Sequence, residues 1–233
     1  MLALFPEGFE ELETEGGLEL VAYTDAEGAR RLRDAFGAVE SVAVEPDWAD
    51  RWRQFHRPVQ AGPFWIGPPW ERPPEDALSI VIDPGRAFGT GAHATTRLCL
   101  ELLAASPRVG TLLDVGCGSG VLAIAGAKLG FEPVVAFDSD PAAVEATLTN
   151  AELNSVRLDV RLVDALVDPL PPADAVAANL TLAHVEALAP RLSAARLIAS
   201  GYLETDALAL PAFKRRERLT AQGWAADLFE HLA

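Results

Sequence analysis

The run LLDVGCGSGVLAIAGAKLG, residues 112–130, constrains the fold of this chain more than any other. A short apolar stretch, TLLDVG (111–116), reads as a buried strand. Gly116, Gly118 and Gly120 follow as a tight loop. GVLAIAGAKLG (120–130) then has the length and apolar content of a packed helix, with Gly130 as its stop. A strand leaving directly into a helix pairs with a parallel neighbour. The pattern recurs downstream. PVVAFD (133–138) is the next strand, Asp140 a helix cap and Pro141 the first residue of the helix PAAVEATLTNAELN. Strands are expected at 77–83, 156–164, 174–180 and 196–202, and helices around 183–192 and 211–222. Alternation of this kind predicts an α/β fold: a Rossmann-like, mostly parallel sheet with helices on both faces.

The loop and the strand after it indicate a ligand. Three glycines let the backbone approach a bound molecule closely, and the following helix offers free N–H groups. Asp138 ends the next strand, where a carboxylate can accept both hydroxyls of a ribose. Gly-x-Gly-x-Gly alone allows either a dinucleotide or S-adenosyl-L-methionine. Asp114, two residues before the first glycine, favours the second. A carboxylate there opposes a pyrophosphate and suits the positive amino group of a methionine moiety. The cofactor set read from this region is Asp114, Gly116, Gly118 and Asp138.

Two further strand ends carry polar residues. Asp164 either accepts from an adenine amino group or begins a turn before DPLPP. Asn179, in VAANL (176–180), is placed to face the sulfonium side of the cofactor, where its oxygen can accept a proton from an amine and aim the lone pair at the methyl group. A second glycine-bearing loop, FGTGAHATT (88–96), precedes the first by about twenty residues. Phe88 and Gly91 are expected to cover the cofactor from the other side, with Thr96 in the first turn of the following helix. His93 is either a proton acceptor or a residue that stabilises the loop by a hydrogen bond.

The rest of the chain divides unevenly. Residues 1–50 hold thirteen carboxylates and three arginines, a net −10 of the chain's −15. That field repels nucleic acid and attracts basic proteins, or serves solubility alone. Strands at 17–24 and 39–45 flank a helix at 26–37, giving a small acidic α+β module expected to recognise the substrate. Residues 51–76, with six prolines between Pro58 and Pro74 and Trp52, Trp65 and Trp70, read as a linker packed on the surface or as a substrate-docking edge. Residues 77–233 are the expected cofactor-binding domain. No run of eighteen apolar residues occurs, and MLALFPEGFEELETEGG lacks the basic start of a secretory signal. Cys99 and Cys117 have no metal-ligand spacing, so no metal is expected. A cytoplasmic monomer without membrane or direct nucleic-acid binding is the expectation.

In this order and spacing, IDPGRAFGTGAHATTRLCLELL, LLDVGCGSGVLAIAGAKLG, AFDSDPAAVEA and VAANL resemble the PrmA-type methyltransferases, which modify ribosomal protein L11 of the large subunit. The resemblance covers roughly residues 46–202. The resemblance implies a class I methyltransferase fold, S-adenosylmethionine as donor, and lysine side chains and an N-terminal α-amine as acceptors on a basic ribosomal protein. It carries cofactor contacts onto Thr96, Gly116, Asp138 and Asn179, and a loop onto Phe88, Gly89, Thr90 and Gly91. The chain departs from the family pattern at Ala94, where a proline is usual. It departs again in a reduced N-terminal module. At the C-terminus, GWAADLFEHLA leaves the last sheet strand expected to be missing.

Overall fold

A computed structural model describes residues 10–14, 17–21, 26–37, 39, 56–84, 89, 91–108 and 110–232. The chain divides into two compact units, Met1–Trp52 and Arg53–Ala233. In the first unit, β1 (Glu10–Thr14) pairs antiparallel with β2 (Gly17–Val21), Thr14 opposite Gly17, and α1 (Ala26–Phe36) follows. The strand expected over 39–45 lies largely outside the described residues, as do Trp48 and Trp52.

The second unit begins with β3 (Val59–Ala61), β4 (Phe64–Gly67) and β5 (Leu78–Val81), which form a three-stranded sheet in that order. Residues 59–67 were expected inside a linker and are structured instead. Phe64 and Ile66 are wholly buried and join the main core, which is where the apolar residues of this proline-rich stretch find their partners. The strand expected at 77–83 belongs to this small sheet and not to the large one.

Then come α2 (Ala94–Ala105), β6 (Leu112–Val115), α3 (Val121–Leu129), β7 (Val134–Asp138), α4 (Pro141–Leu153), β8 (Asp159–Leu162), β9 (Ala173–Asn179), α5 (Leu182–Leu188), β10 (Ala194–Leu203), β11 (Phe213–Ala221) and β12 (Trp224–His231). Seven strands form one sheet in the order β11-β12-β10-β9-β6-β7-β8. The five from β8 to β10 are parallel, and β12 runs antiparallel to both its neighbours. Chain order reverses direction between β6 and β9, the place where ligands bind in open α/β sheets.

Alternation along the central strands shows that both faces are covered. Leu112, Ala175, Ala177 and Ile198 pack on one side with α2 and α3. Leu113, Val176, Ala178 and Leu197 pack on the other with Val185 and Leu188 of α5. Local signals set the helix ends. Asp140 Oδ1 accepts from the Ala142 N–H at 2.9 Å, with Pro141 behind it, and Gly130 closes α3 in the left-handed region.

Two expectations fail at the C-terminus. Residues 213–221 form β11, not a helix, although Lys, Arg, Glu and Leu all favour helices. Cross-strand pairing overrides that propensity: Arg216 binds Glu230 at 2.6 Å and Arg218 binds Asp227 at 2.7 Å. The last sheet strand, expected to be missing, is present as β12, which buries Ala225, Ala226 and Phe229. Asp227 is also fully buried. It accepts from Arg218 through both oxygens and from the Tyr202 hydroxyl, and burial together with this carboxylate pushes the Tyr202 phenol above its usual range.

Candidate active site

A cleft of about 500 Å³ opens at the carboxyl ends of β6, β7 and β9. Its wall brings together Gly116 and Gly118 from the glycine-rich loop, Asp138 from the end of β7, Asp164 beyond β8, Asn179 from the end of β9, and Thr96 and Gly89 from the preceding segment. The size suits a cofactor-sized ligand.

Each wall residue is held by its local structure. Gly116 has φ +72°, and its N–H donates to the Phe137 carbonyl at 2.8 Å. A Cβ there would lie 2.5 Å from Leu180 Cδ2, so only glycine admits this turn beside β9. The Asp138 carboxylate accepts from Gly118 N–H and from Asp140 N–H, each at 3.0 Å. These bonds aim the carboxylate and leave it lone pairs for hydroxyl donors. Asp164 begins a turn, as one of its two alternatives had it. Its Oδ1 accepts from Leu166 N–H at 2.9 Å in a turn, and the residue also lies on the cleft wall.

Asn179 donates from Nδ2 to Thr96 Oγ1 at 3.3 Å, which joins the end of β9 to the first turn of α2. Among the described residues its side-chain oxygen carries no hydrogen bond, so an acceptor remains on the wall. Beside it, Leu180 N–H donates to Ser200 O. Gly201, φ +103°, allows β10 this close, since a Cβ there would strike the Leu180 carbonyl oxygen.

Other expected residues sit elsewhere. Phe88 and Thr90 lie outside the described residues. Gly91 packs against Ile66, where a Cβ would lie 2.7 Å from Cγ2, and is not on the cleft wall. Nor is Asp114, which is buried behind the loop at 1 % exposure. Its Oδ2 accepts from Ala123 N–H at 2.9 Å, and its Oδ1 is buried with no partner. Burial pushes this carboxyl up to about 7; the Ala123 bond acts against the rise and Asp138 adds to it. His93 is the N-cap of α2. Its Nδ1 accepts from Thr95 N–H, and its ring meets Trp224 edge-on at 4.9 Å. It is not among the described residues of the cleft wall, and the cap it provides accords with the loop-stabilising alternative.

The sequence pattern did not single out Ser139, Thr181, His184 or the apolar wall formed by Val163, Leu166 and Leu188. Thr181 and His184 are joined through Oγ1 and Nδ1 at 2.6 Å. Their signal was the helix start directly after VAANL. Cys117 also reaches the wall, but burial holds its thiol up to about 12, so it stays neutral. Both cysteines are free thiols. Among the described residues no group of three His, Cys, Asp or Glu side chains could hold a metal ion.

Among the described residues the wall thus carries two carboxylates and no lysine or arginine. That charge pattern disfavours a pyrophosphate and favours a ligand with a positive centre. A family model described as ribosomal protein L11 methyltransferase (PrmA) matches residues 11–226, nearly the whole chain. The chain belongs to the ribosomal protein L11 methyltransferase family.

Members of this family at similar distance include two bacterial proteins, each named ribosomal protein L11 methyltransferase. That of Vibrio campbellii is 40% identical over 194 residues, covering 79% of this chain and 65% of the relative. That of Pelotomaculum thermopropionicum is 44% identical over 191 residues, covering 77% and 62%. The chain therefore spans somewhat under two thirds of the length of these family members. A crystal structure titled ribosomal protein L11 methylase, from Lactobacillus delbrueckii subsp. bulgaricus, superposes with a TM-score of 0.67 at 28% identity, covering 76% of this chain and 99% of that one.

Proposed function

We propose that this protein is an S-adenosylmethionine-dependent N-methyltransferase whose substrate is ribosomal protein L11. The observation that carries the reading is the cleft that gathers Gly116, Asp138 and Asn179 at three neighbouring strand ends, with two carboxylates and, among the described residues, no lysine or arginine on its wall. The residues fit the cofactor. Asp138 is fixed to accept the ribose hydroxyls, the glycine-rich turn admits close approach, and the wall charge suits a sulfonium and an ammonium. When bound, the cofactor supplies an electrophilic methyl group.

The chain's own residues then supply orientation and a dry site. Thr96 holds the Asn179 amide by its nitrogen, so the amide oxygen is left to accept an N–H of the incoming amine and direct its lone pair. A lysine with pKa about 10.4 must lose a proton first, which costs about 5 kcal/mol at neutral pH. An α-amine, with pKa about 8, costs about 1–1.5 kcal/mol. A nearby positive charge lowers an amine's pKa in the useful direction. Asn179 is therefore a positioning and hydrogen-bonding group, and no strong base is required. The net charge of −10 in residues 1–50 supports a basic protein as substrate over an RNA. The test is transfer of labelled methyl groups to purified L11 with Asn179→Ala beside the wild type. Undiminished transfer by the variant removes Asn179 from this role.

A further inference from the structure

Two polar residues, Asn150 and Ser119, tie the glycine-rich loop to Asp83 and to Gly89, and the methyl-transfer chemistry uses neither. Asn150 lies in the interior of α4, where asparagine is a poor helix former, and is 1 % exposed. Both ends of its amide leave the helix. Nδ2 donates to Ser119 O in the glycine-rich loop at 2.8 Å, and Oδ1 accepts from Asp83 N–H at 2.9 Å. Asp83 follows β5. From the other side, Ser119 Oγ donates to Gly89 O at 2.7 Å. One turn earlier on α4, Thr147 Oγ1 donates to Gly118 O at 2.9 Å. Gly118 and Gly89 both line the cleft.

We propose that Asn150 is a positioning residue for cofactor binding: through one amide, extended by Ser119, it holds the glycine-rich loop, Asp83 and Gly89 in a common register. The task needs a donor and an acceptor at once, in a buried place. Aspartate keeps the acceptor toward Asp83 N–H but sets an oxygen against the Ser119 carbonyl. Leucine offers neither group. An isolated helix-packing role would need only one of the two bonds.

The inference rests on the cleft being the S-adenosylmethionine site, and one set of titrations separates the two. The probe is S-adenosylhomocysteine, measured by calorimetry against the full-length wild type, Asn150→Asp, Ser119→Ala, the double variant and Tyr202→Phe. The last loses a buried hydroxyl whose hydrogen bonds, to Asp227 and Ala199 O, involve no residue of the cleft wall. No binding by the wild type overturns the reading of the cleft itself. With the wild type binding, Asn150→Asp is expected to weaken affinity about tenfold or more and Ser119→Ala about threefold, while Tyr202→Phe binds as the wild type. The double variant is expected to be little worse than Asn150→Asp, because the two bonds form one chain. Wild-type affinity in Asn150→Asp overturns the proposal, as does a loss equal to that of Tyr202→Phe or a double variant equal to the product of the singles. Should Asn150→Asp not fold, Ser119→Ala decides: unchanged affinity there overturns the proposal.

Discussion

Replacing Asp114 by asparagine should change how stability depends on pH. Burial raises this carboxyl from 3.8 to about 7 in the folded protein, and its Oδ1 has no partner. The folded state therefore keeps a proton that the unfolded chain releases. Its contribution to stability is complete below the unfolded value of 3.8 and is lost as pH rises through about 7. A shift of roughly three units corresponds to about 4 kcal/mol. Asparagine retains an oxygen for Ala123 N–H and does not titrate, so it lacks this slope. Urea unfolding of both proteins at pH 5, 6, 7 and 8 is the assay. The wild type should lose on the order of 2–4 kcal/mol relative to Asp114→Asn between the ends of that range, with unchanged m. Parallel pH curves would refute the reasoning, as would a wild type that gains on the variant at high pH.

Other outcomes follow from the same geometry. Asn179→Ala should bind S-adenosylhomocysteine within about threefold of the wild type but transfer methyl groups about a hundredfold more slowly, since it loses orientation and not the cofactor contacts of Asp138; single-turnover kinetics separates the two. Asp138→Ala should weaken cofactor binding about thirtyfold or more, through the lost acceptor and the freed Gly118 N–H, as calorimetry would read. Asp227→Ala should destabilise the protein by about 1–3 kcal/mol in urea unfolding, because it removes the buried acceptor shared by Arg218 and the Tyr202 hydroxyl.

The strand–loop–helix units were legible because their signals are local. Gly116, Asp138, Asp140 with Pro141, and Gly130 each act within a few residues of the element they start or stop, and each stands where its spacing placed it. Asn179 and Thr96 were legible as site residues, and the structure joins them by a hydrogen bond across 83 residues. What escaped was decided at long range. Residues 213–221 carry helix-forming side chains, and pairing along the whole length of β12, with the Glu230 and Asp227 ion pairs, makes them a strand. The proline-rich segment looked like a linker because the cavity that Phe64 and Ile66 fill is built by α2 and α3. Asp114 was read as a cofactor contact from its place in the motif. The chain turns it inward instead, toward Ala123 N–H, which no one-dimensional pattern records. Asn150 gave a weak signal: with Asn154, the C-cap of α4, it forms an i, i+4 pair of poor helix formers, and both bond to the strand β5 or the residues just after it.

Methyl transfer itself is the most direct test of the proposed function. Purified protein, S-adenosylmethionine labelled in its methyl group and isolated ribosomal protein L11 are combined, and the product is mapped by mass spectrometry. The account predicts label on lysine side chains or the N-terminal amine of L11, dependent on Asn179 and absent from ribosomal RNA. Label that appears only in RNA, or no label in L11 from a protein that binds S-adenosylhomocysteine, would contradict it.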